Sequence, residues 1–286
     1  MPRGPYRIGD YRIELELASD GHEIRYRAVH VMLPRTAIVR VAPQAHAAQL
    51  MREVYLVEAL RHPGVPRVFE CGTLPGPSAW VATELVEGTP LARLLEAGPL
   101  TVSEVLAMLR NVAEILDQAH RHGVTHGGVC SEAIVYRDGV RGYPLCLVGW
   151  RTARLETAPT ADIRDLGIAA FEALTGTAPA LPLACCPAAV PEPLGALLMQ
   201  MLAGDPAVRP SAEVVAREAA RLAARPMTAM AGAAARPESP TRPLPPWRAL
   251  PPLPPRSRPR WTPAFPTESP SPSAIAAVAT ACKRDD

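Results

Sequence analysis

Apolar and polar positions alternate in short runs near the start of the chain. Tyr11-Arg12-Ile13-Glu14-Leu15, Ile24-Arg25-Tyr26-Arg27-Ala28 and Thr36-Ala37-Ile38-Val39-Arg40-Val41 have the two-residue period or the β-branched content of strands. Ala18-Ser19-Asp20-Gly21 and Leu33-Pro34-Arg35 separate them as turns, so three antiparallel strands are expected. From Ala45 to Arg61 the spacing of Leu50, Val54, Val57 and Leu60 is helical, and His62-Pro63-Gly64 stops it. Two more strands follow, at residues 66–70 and 79–85. Five strands and one helix make a small α+β lobe.

After Gly88 the period changes. Residues 91–97 and 102–122 read as helices, and so do 163–175, 193–202 and 211–224. Among them sits one hairpin, residues 133–136 and 143–147, turned around Asp138-Gly139. A second, mainly helical lobe is the expected structure. The organisation is an extension at 1–10, the small lobe at 11–88, the large lobe at 89–224 and a tail at 225–286.

Composition sharpens the picture at the tail. Of 34 prolines, 15 lie in residues 226–286, too many for a packed domain, so the tail is expected to be disordered. Its run from Pro243 to Arg256 favours polyproline II, and Arg248, Pro251 and Pro254 have the R-x-x-P-x-x-P spacing of a ligand for polyproline-reading domains. The same run also reads as a solvated linker. A formal charge of +2 gives no nucleic-acid footprint, and the absence of a long apolar stretch or signal peptide points to a cytoplasmic protein with no membrane partner. Six cysteines form no C-x-x-C pair, so neither disulfides nor a zinc knuckle is expected. His120, His122, His126 and Cys130 are not expected to make a metal cluster, because imidazoles at i and i+2 of a helix point to different faces and no companion Cys pair exists. No G-x-S-x-G elbow suggests a hydrolase.

The order of these elements, with His62-Pro63, Glu84-Leu85-Val86-Glu87-Gly88, His122-Gly123-Val124-Thr125-His126, Asp162-Ile163-Arg164-Asp165-Leu166-Gly167 and Asp205-Pro206-Ala207-Val208-Arg209-Pro210, resembles the bacterial eukaryotic-like Ser/Thr protein kinases. The resemblance covers residues 11 to about 224 and implies the two-lobed protein-kinase fold. It also implies a Gly-rich loop over the phosphates, a strand Lys paired with a helix Glu, a base Asp, and an Asn and an Asp on magnesium. In the loop, Ala18, Asp20 and Glu23 stand where the glycines belong, and a plain hairpin turn around Asp20-Gly21 is expected. Arg40 stands for the strand Lys, with Glu53 as its partner. This pair is read as an architectural brace, with phosphate anchoring as the other reading.

The catalytic loop reads His126-Gly127-Gly128-Val129-Cys130-Ser131-Glu132-Ala133. By the resemblance, Gly128 replaces the base, Cys130 the loop Lys and Ala133 the Asn. Gly149-Trp150-Arg151 stands for D-F-G, so Gly149 replaces the metal Asp. No shift of register supplies the missing groups, because the only lysine is Lys283 and the only asparagine is Asn111. His126, Trp150, Asp162 and Arg209 match the family's scaffold positions, and Val57, Val68, Trp150 and His126 are expected to stack between the lobes. Ala37, Thr83, Glu84, Val86 and Val135 would line a nucleotide cleft. The segment 152–161 is short for a substrate platform, and Glu156 is a candidate partner for Arg209.

These substitutions lead to a pseudokinase, without metal or cofactor, acting as a signalling scaffold or an allosteric partner of another protein such as an active kinase. Two alternatives remain: a non-catalytic switch that binds ATP weakly and without metal, and an active Ser/Thr kinase as family similarity alone would label it.

Overall fold

The computed structural model describes residues 6–76, 78–137, 142–150, 158–183, 185–187 and 190–224. The expected disordered tail at 225–286, the hairpin turn at Asp138-Gly139, Arg151, Glu156 and most of the short segment 152–161 lie outside the described residues.

The small lobe is an antiparallel sheet of β1 (Arg7–Ile8), β2 (Tyr11–Ser19), β3 (Ile24–His30), β4 (Thr36–Ala42), β5 (Val68–Leu74) and β6 (Ser78–Glu84), in the order β1-β2-β3-β4-β6-β5. The sheet has six strands rather than five. The extra one is Arg7–Ile8, inside the stretch assigned to an extension, and Ile8 is 1% exposed among Tyr11, Ala28 and Trp80. A buried Ile side chain contributes about 1.5–3 kcal/mol, which offsets the ordering of so short a strand.

Helix α1 (Gln44–Leu60) packs on the sheet through Leu50 and Val54. It ends where Arg61 adopts a left-handed φ of +44°, ahead of His62-Pro63. The loop after it is tied to the large lobe. Leu147 N donates to the Gly64 carbonyl at 2.8 Å, and the Leu60 carbonyl accepts from the Gln118 side chain. Gly64 also lies so close to Ile115 that a Cβ there would clash.

The large lobe consists of α2 (Leu91–Leu95), α3 (Val102–Arg121), α4 (Pro159–Thr175), α5 (Glu192–Met201) and α6 (Ala212–Ala223), with a small sheet of β7 (Thr89–Pro90), β8 (Ile134–Tyr136) and β9 (Leu145–Leu147). Helix α3 begins at a capping box in which Thr101 and Glu104 satisfy each other's backbone amides. Its apolar face, from Val105 to Ala119, forms the centre of the core together with α4, α5 and α6. The fold is thus α+β and kinase-like, with a curled sheet lobe followed by helices. Among the described residues no helix is long and apolar enough to cross a membrane.

Candidate functional site

The turn between β2 and β3 closes on itself. Asp20 Oδ1 accepts from the backbone amides of His22 (3.1 Å) and Glu23 (3.0 Å), and Gly21 supplies the φ of +78° that the turn needs. Amides of a phosphate-holding loop must point at the ligand. Here two of them point at the chain's own carboxylate.

Glu23 then turns inward and is 7% exposed. Arg40 donates to Glu23 Oε2 at 2.7 Å and to Glu53 Oε2 at 2.8 Å. Arg25 Nε lies 3.6 Å from the other Glu23 oxygen, and its Nη2 lies 3.9 Å from Asp20. The result is a ladder of alternating charge, Asp20, Arg25, Glu23, Arg40 and Glu53, running from the turn across β3 and β4 to α1. The alternation answers a problem set by the sheet. Arg25 and Arg40 are paired across β3 and β4, so two cations share one face, and Glu23 lies between them. Gln49 adds a hydrogen bond to Glu53 at 3.1 Å. Burial raises the Glu53 pKa, and Arg40 opposes that shift without cancelling it.

A second network centres on Asp162 in α4, which is fully buried. Its carboxylate accepts from the backbone amides of His126 and Gly127, both at 2.8 Å, and lies 2.9 Å from His120 Nε2. Burial alone would raise the Asp162 pKa, but these hydrogen bonds outweigh it and hold the pKa below the usual carboxylate value. The His126 ring donates through Nε2 to the Val148 carbonyl at 3.0 Å and meets Trp150 edge-on, with ring centroids 4.7 Å apart. Trp150 in turn donates to the Leu147 carbonyl at 2.7 Å. Val57 packs against the same core, whereas Val68 packs with Leu50 and Val54 in a separate cluster. The expected four-membered column is therefore divided between two clusters.

The loop from His126 to Ala133 carries the positions that the resemblance gives to the base, the loop Lys and the Asn. Gly128 is exposed and Ala133 is buried; Cys130 is exposed as a residue, and the partial desolvation of its thiol pushes the pKa above the ordinary value. Gly149, at φ +91°, is exposed beside the His126 ring. Arg209 donates to the carbonyls of Ala203, Thr160 and Gly204 at 2.9, 3.1 and 3.3 Å, so its hydrogen-bond partners among the described residues are backbone oxygens. No group of three His, Cys, Asp or Glu side chains suited to a metal occurs among the described residues.

Ala37 pairs with Glu84 across β4 and β6, Thr83 pairs with Ile38, and Val135 lies on β8 across from Pro90. Val86 sits half-buried in the connection between the lobes. Glu84 accepts from Arg137 at 3.3 Å and from the Arg67 amide at 3.1 Å, and Arg137 also donates to the Pro63 carbonyl. The Arg137 side chain is 2% exposed, which makes it a buried strut between the lobes. Gly88 lies against β8 so closely that a Cβ would clash with the Tyr136 carbonyl. A cavity of about 460 Å³ opens elsewhere, between Val57, Arg61, Pro63 and Val68, and involves none of the cleft residues.

Sequence reasoning placed Glu23 at the phosphate site but did not give it to Arg40. The signal was present, since the expected β3–β4 hairpin puts residue 23 close to residue 40. His120 and Arg137 carried no comparable signal, because their partners lie 42 and 53 residues away.

The burial of His126 has a measurable consequence. Burial holds its pKa below the ordinary imidazole value, although Asp162 and the Val148 carbonyl act the other way. The unfolded chain takes up a proton near pH ~6.5 that the folded chain refuses. Stability is therefore full above that pH and declines below it, by at most about 1.4 kcal/mol per pH unit, until the folded pKa is reached. Urea midpoints at neutral and mildly acidic pH should fall less in His126→Phe than in the native chain. Equal declines would show that His126 is not the group responsible.

The model of a family described as "Phosphotransferase enzyme family" matches residues 15–186. The chain belongs to this family. Within the curated proteins it is homologous to bacterial Ser/Thr kinases at low identity. Serine/threonine-protein kinase pkn2 of Myxococcus xanthus is 29% identical over 167 residues, 56% of this chain and 20% of that protein. Serine/threonine-protein kinase PknL of Mycobacterium tuberculosis is 28% identical over 200 residues, 59% of this chain and 50% of that protein. PknJ of the same species is 30% identical over 122 residues, 41% of this chain and 20% of that protein. The matched region thus spans between a fifth and a half of these relatives.

Proposed function

We propose that this member of the phosphotransferase family is a pseudokinase: a non-catalytic kinase-like domain that serves as a signalling scaffold or as the allosteric partner of a signalling protein, such as an active kinase. The observation that carries the reading is the charge ladder. Arg40 stands where the family's phosphate-pairing Lys belongs, and carboxylates hold it on two sides at 2.7 and 2.8 Å. The neighbouring amides of His22 and Glu23 are bonded to Asp20. A nucleotide phosphate would have to displace buried carboxylates and lie against their charge, a repulsion that water screens little where Glu23 and Glu53 are buried. The loop from His126 to Ala133 adds no general base at Gly128 and no metal ligand at Ala133. The scaffold groups, by contrast, are retained, with Asp162, His126, Trp150 and Arg209 each bonded to backbone, which is compatible with a fold kept for binding.

Purified protein is expected to transfer no radiolabelled phosphate from ATP to itself or to a generic basic protein. Robust incorporation by the native chain alone would overturn the reading, and incorporation that survives in a Gly128→Ala variant would point to a contaminating kinase or a noncanonical route. Binding of ATP without metal, with Arg40 as anchor, is the competing arrangement and requires Glu23 to leave. A thermal-shift titration separates the two, because a ligand at a hundred times its Kd adds about 2.7 kcal/mol of stability. We place the protein in the cytoplasm, with the proline-rich tail as a second point of attachment for a polyproline-reading domain.

A further inference from the structure

Two histidines outside both networks converge at the small lobe. His22 belongs to the β2–β3 turn and His46 to the first turn of α1, and His22 Nδ1 lies 3.0 Å from His46 Nε2. Their rings are nearly perpendicular, at 84°, with centroids 4.5 Å apart. From this pair we infer a binding site for one divalent transition-metal ion of the zinc, nickel and copper class, chelated by His22 Nδ1 and His46 Nε2.

Imidazole nitrogens bind such metals at about 2.0–2.1 Å, so two of them 3.0 Å apart can share one ion after a small rotation of either ring. Neutral imidazole suits zinc, copper and nickel, whereas magnesium and calcium prefer oxygen. The surrounding charge also favours a cation. The adjoining ladder holds three carboxylates, Asp20, Glu23 and Glu53, against two guanidiniums, Arg25 and Arg40. The positive end of α1 opposes a cation at His46, which lies in its first turn, and so weakens the site without removing either ligand. Since no third side-chain ligand completes a set among the described residues, water fills the remaining positions, and the ion is exchangeable.

The consequence is mechanical. His22 precedes Glu23, and His46 shares a helix with Glu53, so an ion at this point ties together the two elements that Arg40 bridges. Binding would fix the turn against α1 and raise the stability of the small lobe. This inference does not rest on the absence of phosphotransfer.

The test uses the full chain, freed of metal with a chelator and titrated calorimetrically with Ni²⁺ and with Zn²⁺ near neutral pH. A single site is expected, weakened in both His22→Asn and His46→Asn by at least about tenfold, the lower end of what even outer-shell changes cost a metal site. Cu²⁺ bound to the native chain should show magnetic-resonance couplings from two imidazole nitrogens, and from one in each variant. Heats and couplings unchanged by both substitutions would overturn the proposal by locating the metal elsewhere. No binding at millimolar metal would also overturn it, leaving the pair as an ordinary hydrogen bond.

Discussion

Arg40→Met is expected to destabilise the protein by about 3–5 kcal/mol, the cost of breaking a buried ion pair by removing one partner. The substitution keeps the length of the apolar stem and removes the charge shared by two carboxylates. Glu23 and Glu53, whose side chains are 8% and 5% exposed, would then face each other across the vacated guanidinium position with no cation between them. Glu53→Gln should cost less, because Arg40 keeps Glu23 and the amide keeps a hydrogen-bonding oxygen. Acid should narrow the deficit of Arg40→Met. Burial already raises the Glu53 pKa above its unfolded value, so the folded chain holds this proton more tightly and stability falls as pH rises through that interval. Without Arg40 the pKa rises further, and the penalty at neutral pH is relieved once the carboxyls take up protons. Urea denaturation of both single variants and the double variant, at neutral and mildly acidic pH, measures the coupling. Strict additivity of the two substitutions would show that Arg40 and Glu53 do not interact.

Asp162→Ala is expected to be comparably damaging, at about 3–5 kcal/mol, since it removes the carboxylate that accepts from the buried His126 amide and the partly buried Gly127 amide, and with it the partner of His120. Asp162→Asn should fall between it and the native chain, because one carbonyl oxygen remains while the new NH2 group opposes an amide donor. The two variants also differ from the native chain in acid. The Asp162 pKa is held below its unfolded value, so the group's stabilisation is present above the unfolded pKa of about 3.9 and is lost as pH falls through the lower folded value. In Asp162→Asn that part of the acid unfolding should be missing. An Asp162→Ala protein with native melting temperature would mean that the loop from His126 to Gly127 is held by other contacts.

Much of the fold was legible along the chain, since the signals that build it act over a few residues. The alternation through β2 to β4, the apolar face of α3 and the stop at His62-Pro63-Gly64 are local, and each element lies where its pattern placed it. The short strand Arg7–Ile8 was not legible, because two residues carry no period and only the hydrophobic pocket of the sheet gives Ile8 a place. Likewise Val68 reads as one more strand residue, and only packing assigns it to the cluster with Leu50 and Val54.

The candidate site divides along the same line. The sequence alone determined which chemical groups exist: a body without lysine, a lone asparagine inside α3, and glycine, cysteine and alanine in the loop after His126. No folding can restore a side chain that was never encoded. Tertiary structure decided which charges meet. Glu23 faces Arg40 because the turn closes over Asp20 and β3 pairs with β4, and Glu53 joins them because α1 packs on the sheet. Arg137 reaches Glu84 and Pro63 only because the loop after α1 docks on α3 and β9. A carboxylate finds its cation where desolvation makes leaving it unpaired most costly, and those places come into being only when elements distant in the chain are packed together.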